Sequence, residues 1–113
     1  MTAPPCGEKA TPCRLAEAMI AVTFSVAVSD LRRSCRGISR VARARQAAMY
    51  LVHVTRGLSL TELGAQFGRD RTTVAHGCAV TEERRDEPRF DRAMECLEFA
   101  LARWMDAFAE APR

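Results

Sequence analysis

Lysine is almost absent from this chain: Lys9 stands alone among 17 basic residues, and the other 16 are arginine. Glycine and proline are sparse too, at six and five, which excludes a collagenous or low-complexity polymer. No apolar run approaches the roughly 18 to 20 residues that a membrane span needs. The longest, residues 19–28, is broken by Thr23 and Ser25. No Lys/Arg-rich stretch opens the chain, so no secretory signal is read there. Neither GxxxxGK nor GxGxxG occurs, so no nucleotide-cradling loop is expected. The five cysteines (Cys6, Cys13, Cys35, Cys78 and Cys96) form no CxxC pair. Their odd number points to reduced thiols in a cytoplasmic setting. His76 and Cys78, taken with His53 or Cys35, lack metal-ligand spacing, and no third partner makes Cys78 a nucleophile. No metal, cofactor or catalytic residue is therefore expected, and the protein is read as a non-enzyme.

What is present is globular: 113 residues, 48% hydrophobic and 27% charged, enough for one modest core. The net charge of +3 conceals an uneven distribution. Residues 1–31 sum to −1 and residues 72–113 to −3. Between them, residues 32–71 carry nine arginines against Glu62 and Asp70, a net of +7. Such a block beside an acidic end suits an anionic polymer, nucleic acid first. A membrane surface fits less well, because the arginines do not lie opposite an apolar face.

Residues 1–10 read as a flexible leader and residues 11–110 as a single domain. Thr11 and Pro12 resemble an N-cap followed by proline at the first helical position. Leu15, Met19 and Val22, with Ile20 and Phe24 alongside, give a helical face. Val22, Phe24, Val26 and Val28 also alternate as a strand would, but no second strand exists to pair with them. The expectation is helix to about residue 24, an extended link to 27 and a short helical turn over 29–33. The basic stretch through Arg32, Arg36, Gly37 and Arg40 lacks periodicity and reads as a loop. A long helix follows over about 41–56, with Ala44, Ala48, Leu51 and Val52 inward and Gly57 as its stop. Ser59-Leu60-Thr61-Glu62 is a capping box, with Leu58 and Leu63 at the positions of a hydrophobic staple. That short helix ends at Gly68, and another starts at Asp70 and runs to about 85. Beyond Asp86-Glu87-Pro88, a last helix over about 88–109 carries Phe90, Met94, Leu97, Leu101, Trp104, Met105 and Phe108 on one stripe. The fold class expected is all-α, a bundle of about five main helices.

A short helix, a tight turn and a second helix with a polar first turn form a helix-turn-helix. In that motif the second helix enters the major groove with its N-terminal residues on base edges. Arg69, Asp70, Arg71, Thr72 and Thr73 lie there. Arginine pairs two donors with guanine O6 and N7, aspartate accepts from cytosine N4, and a threonine methyl touches a thymine methyl. Asp70 has two readings, base contact and N-cap, and both stay open. Thr72 is the better DNA candidate of the two threonines, since Thr73 could turn inward with Val74.

Three runs then carry a resemblance. Arg43-Ala44-Arg45-Gln46-Ala47-Ala48-Met49-Tyr50-Leu51, Ser59-Leu60-Thr61-Glu62-Leu63-Gly64 and Phe67-Gly68-Arg69-Asp70-Arg71-Thr72-Thr73-Val74-Ala75-His76-Gly77-Cys78 occur in this order. Together they resemble the DNA-binding domain of the bacterial replication initiator DnaA, whose pattern runs ARPRQxAMYL, SLxEIG and FGGRDHTTVxHAC. The similarity covers roughly residues 15–100 and is strongest over 41–78. It implies an all-helical helix-turn-helix unit that binds short duplex sites at a replication origin, with a basic loop that puts an arginine into the minor groove. By position, Arg69, Asp70, Arg71, Thr72 and Thr73 would face the major groove. Arg43, Arg45, Gln46, Ser59, Leu60, Thr61 and His76 would lie near phosphates, the start of the helix at Ser59 suiting an anion. Arg36 would be the minor-groove arginine if the loop has gained one residue before Val41. Otherwise Gly37 falls there, and Arg36 or Arg40 substitutes. The sequence departs from the family in three places: one glycine is missing before Arg69, Arg71 replaces a histidine, and Ala44 replaces a proline.

The expected function is sequence-specific binding of double-stranded DNA, in regulating transcription or modulating replication initiation. The chain lacks the initiator's ATPase module, so a stand-alone DNA-binding unit is expected. The alternative is a protein-interaction adaptor that keeps the fold and works through its last helix. A homodimer or protein partner would then meet Phe90, Leu97, Leu101, Trp104 and Phe108.

Overall fold

Small side chains set the middle of the fold. Ala44, Ala47 and Ala48 are buried on a single helix, so neighbouring helices approach its backbone closely. The computed structural model describes residues 8–32 and 39–110. In it α1 (Ala10–Phe24), α2 (Val28–Leu31), α3 (Ser39–Arg56), α4 (Leu60–Phe67), α5 (Arg71–Arg84) and α6 (Pro88–Glu110) follow in order. No strand occurs among the described residues. The all-α expectation holds, with the predicted helical turn after α1 present as the four-residue α2.

The central α3 packs most extensively on α1 and α5. Each main helix contributes to one core: Ile20 from α1, Met49, Leu51 and Val52 from α3, Leu63 from α4, Val74 from α5, and Met94 and Leu101 from α6 are fully buried. Each such side chain contributes about 1.5–3 kcal/mol of apolar burial. Gly77 brings α5 against α3, where a Cβ would come within 3.0 Å of Gln46 Cγ and 3.2 Å of Met49 Cε.

Polar contacts fix the helices that burial alone would leave free to slide. Glu17, only 2% exposed, forms an ion pair with Arg14 Nε at 2.9 Å and accepts from Arg32 Nη2 at 3.1 Å. Two guanidinium groups thus offset the desolvation of one buried carboxylate. Arg85, just past α5, donates to Asp91 Oδ1 at 2.6 Å and Glu98 Oε2 at 2.7 Å on α6, and to Tyr50 Oη at 3.2 Å on α3. The Tyr50 hydroxyl in turn donates to the Glu82 carboxylate. Burial alone would depress Arg85, but these hydrogen bonds hold its guanidinium above its usual range.

Boundaries differ from expectation in instructive ways. The α1 helix begins at Ala10, so Pro12 stands third in it rather than first. That is tolerated, because the first four N–H groups of a helix have no intrahelical partner. Ser25 ends α1 in the left-handed region at φ 54°, its N–H donating to Ala21 O. This break interrupts the strand-like alternation of Val22 to Val28. The α3 helix begins at Ser39, two residues earlier than predicted, so Arg40 lies on its first turn and not in a loop.

The stripe on α6 divides. Phe90, Leu97 and Leu101 are buried in the chain's own core, whereas Trp104 and Phe108 are 56% and 59% exposed. Three of the five residues expected at a partner interface are therefore unavailable to a partner. Their helical spacing served the fold. Trp104 lines an apolar groove between α1 and α6 with Leu15, Met19, Val22, Cys96 and Ala100.

Candidate nucleic-acid interface

The α4–turn–α5 unit is specified residue by residue. Ser59 Oγ accepts from the Glu62 N–H at 3.1 Å, and Glu62 Oε1 accepts from the Ser59 N–H at 2.9 Å, so the capping box is complete. Leu58 and Leu63 are both buried, as a staple requires. Lys9 Nζ lies 2.6 Å from Glu62 Oε2 and ties the start of α1 to this cap. The Lys9 hydrogen bond first, then the Ser59 N–H, pull the Glu62 carboxyl down to about 2. At the other end of α4, Gly68 caps the helix at φ 66° in the left-handed region that favours glycine. The Arg69 N–H donates to Gly64 O at 3.0 Å and folds the turn back over α4.

Three residues, Gly68 to Asp70, span the turn. One glycine is enough: Asp70 still reaches the N-cap position of α5, its Oδ1 accepting from the Thr73 N–H at 2.7 Å. That bond holds the Asp70 carboxyl below its ordinary range. The capping reading of Asp70 is thus realised, and the carboxylate remains exposed. Arg71, Thr72 and Thr73 are all exposed on the first turn of α5, whereas Val74 is buried. Thr73 therefore faces solvent and not the core. Thr72, His76, Ala79 and Glu83 are exposed at the spacing of one outward face. Arg69 is half-buried and donates from Nη1 to Gly68 O at 3.2 Å.

The residues expected at phosphates separate into two groups. Ser59 and Thr61 are exposed, and Leu60 is half-buried, at the N-terminus of α4, whose free amides favour an anion. Arg43 is exposed on α3. Arg45 and Gln46 lie deeper. Arg45 donates from Nε to Leu31 O at 2.8 Å and from Nη2 to Asp30 O at 3.2 Å, closing the C-terminal end of α2. Gln46 is half-buried at the close approach to Gly77. Arg40 donates from Nη2 to Ser25 O at 3.1 Å, across to the end of α1. Arg36, and the Gly37 alternative, lie outside the described residues.

The structural roles of three polar residues went unread in the sequence. His53 Nδ1 lies 2.8 Å from Leu58 O, and because a carbonyl only accepts, the proton is on Nδ1. This bond secures the α3–α4 link. Arg14 reaches from α1 to Gln66 O at 2.8 Å and lies 5.4 Å over the Phe67 ring, bracing the end of α4. Arg84 lies 3.9 Å over the Phe90 ring. Tertiary contacts of this kind leave no local pattern. Cys78 is half-buried, and burial raises its thiol, the wrong direction for a nucleophile.

Two short-linked helices, the first with a full capping box and the second with an exposed polar first turn, define a helix-turn-helix unit within an all-helical frame. Residues 16–80 match the bacterial dnaA protein helix-turn-helix family. The chain belongs to that family. It is 43% identical over 65 residues to the chromosomal replication initiator protein DnaA 1 of Protochlamydia amoebophila, covering 58% of this chain and 14% of the relative. The DnaA of Treponema denticola is 41% identical over 70 residues, covering 61% and 15%. A solved DNA replication initiation factor superposes with a TM-score of 0.73 at 28% identity, over 83% of this chain and 29% of that one. A replication initiator DnaA bound to AMPPCP and single-stranded DNA gives 0.72 at 27% identity, over 83% and 28%. The chain thus matches only a small fraction of each relative's length.

Proposed function

We propose that this protein binds double-stranded DNA in a sequence-specific manner, with the first turn of α5 in the major groove, and that it acts at sites related to replication initiation or to transcription control. One observation carries the reading. Arg71, Thr72 and Thr73 are exposed on a turn held rigid by the Asp70 cap and the Gly64–Arg69 closure, and none serves the core.

A backbone fixed in advance favours readout, because only the side chains remain to be ordered on binding. Arg71 can offer two donors to guanine O6 and N7, and Thr72 can meet a thymine methyl. Further along the outward face, His76 offers a donor or acceptor toward phosphate, and Glu83 then repels the backbone. Base reading is therefore confined to the first turns of α5. The α4 N-terminus at Ser59 to Thr61 and Arg43 on α3 supply phosphate contacts that set the register. Arg45 acts as a positioning residue, since its guanidinium joins α2 to α3. No helix among the described residues is long and apolar enough to cross a membrane.

The test is selection of bound duplexes from a random pool at about physiological salt. An enriched motif of a few base pairs is expected. A pool that stays random after repeated rounds would reject sequence-specific reading.

A further inference from the structure

A second electropositive feature lies at the far end of α5 from its reading turn. Arg40, Arg43 and Arg84 converge where α1 ends, α3 begins and α5 ends, and with Phe24 and Ala44 they line a cleft of about 150 Å³. A water's share of liquid volume is about 30 Å³, so the cleft has room for a tetrahedral anion and some of its hydration. Its wall is built: the Arg84 guanidinium lies 3.9 Å over the Phe90 ring, and the Phe24 ring stands 6.1 Å from Phe90. Arg40 is anchored to Ser25 O at 3.1 Å.

Among the described residues no carboxylate pairs with these guanidinium groups. Neither Arg43 nor Arg84 forms an ion pair with a described residue. Arg85, the next residue along, is saturated by Asp91 and Glu98. Burial first, and then the nearby Arg43, pull Arg84 below the ordinary guanidinium range. Like charges gathered beside an aromatic wall without a carboxylate are stabilised by an anion from outside.

We infer that the Arg40–Arg43–Arg84 cleft is a phosphoryl-binding site, with Arg43 and Arg84 as its principal donors. Guanidinium groups match phosphate oxygens in a bidentate fork, and three of them suit a dianion better than a single carboxylate. Two sources share this chemistry. One is the duplex backbone, in which case the inference rests on the DNA reading above. Arg84 stands 14 residues beyond Asp70, about 20 Å along the helix at 1.5 Å per residue, so its phosphate would lie outside the reach of the reading turn. The other source is a free phosphorylated ligand.

The test uses the full chain, with Arg84→Leu and Arg43→Ala as variants. Leucine keeps an apolar contact on Phe90, and Arg43 is exposed, so both variants keep the fold. Inorganic phosphate is titrated without DNA, and the thermal midpoint is followed. The slope of log Kd against log salt is measured separately on a random duplex pool. A phosphate-dependent rise in the wild-type midpoint that both variants lose supports the site. So does a fall in salt slope of about one in Arg84→Leu, and this marks the duplex as the source. The first result with an unchanged slope marks a free ligand. An unchanged slope, with phosphate stabilising all three proteins equally or none of them, overturns the inference. Failure of the wild type to bind any duplex would reject the DNA reading, and the phosphate titration would still decide the cleft.

Discussion

A Cβ built on Gly64 would stand 2.5 Å from the carbonyl oxygen of Arg69, closer than any real side chain tolerates. The helix-turn-helix closes over that missing atom, since the Arg69 N–H also donates to Gly64 O. Gly64→Ala forces the turn to lift. We expect a loss of about 1–3 kcal/mol, the usual cost of overpacking, with Ala65→Gly as the control for helix propensity. Urea unfolding reads the change. A Gly64→Ala protein as stable as the wild type would mean the turn does not close as described.

The α4 cap makes stability sensitive to acid. Ser59→Ala removes the hydroxyl that accepts from the Glu62 N–H and should cost about 1 kcal/mol. Glu62 is held near 2 when folded, below its ordinary value of 4.5. The unfolded chain therefore binds the proton first as pH falls. The Glu62 contribution is whole above about pH 5 and is lost as pH falls toward 2. Glu62→Gln should flatten this limb of a stability profile measured from pH 7 to 2. An identical acid limb in the variant would contradict the Lys9–Glu62 pairing.

Arg85 joins α5 to α3 and α6 through Tyr50, Asp91 and Glu98. Arg85→Ala leaves the two carboxylates without their cation and should lower stability by about 1–2 kcal/mol, held down because Asp91 stays partly solvated. Duplex affinity of the folded variant should be unchanged. A selective loss of DNA binding would instead give Arg85 a contact role.

Arg45→Ala should act on stability before it acts on DNA. Its donors close the end of α2 on Leu31 and Asp30, so the variant should unfold earlier and weaken binding to selected and scrambled duplexes alike. Thermal melts and binding isotherms on one preparation separate the two effects. A stable Arg45→Ala that binds only the selected duplex less well would make Arg45 a base reader.

Local chemistry was legible in the sequence. The Ser59–Glu62 box, the Gly68 stop and the Asp70 cap act within a few residues, and the structure contains each of them. The missing glycine before Arg69 also finds its answer locally, because Gly68 alone supplies the left-handed residue. Illegible were the contacts made across the chain. Arg32, counted with the basic block, is neutralised by Glu17, and Arg40 and Arg45 reach carbonyls on other elements. Periodicity found the face of α6 but could not say where the core stops. Leu101 is buried, whereas Trp104, one turn further on, and Phe108, two turns further on, are not.

The central claim is that the first turn of α5 reads base sequence. Its most direct test is the affinity of wild type and Arg71→Ala for the selected duplex and a scrambled one, at one salt concentration. The wild type should prefer the selected duplex by about a thousandfold or more. Arg71→Ala should lose about 1–3 kcal/mol on the selected duplex and little on the scrambled one. Equal affinity of the wild type for both duplexes, or an equal loss on both in the variant, would contradict it.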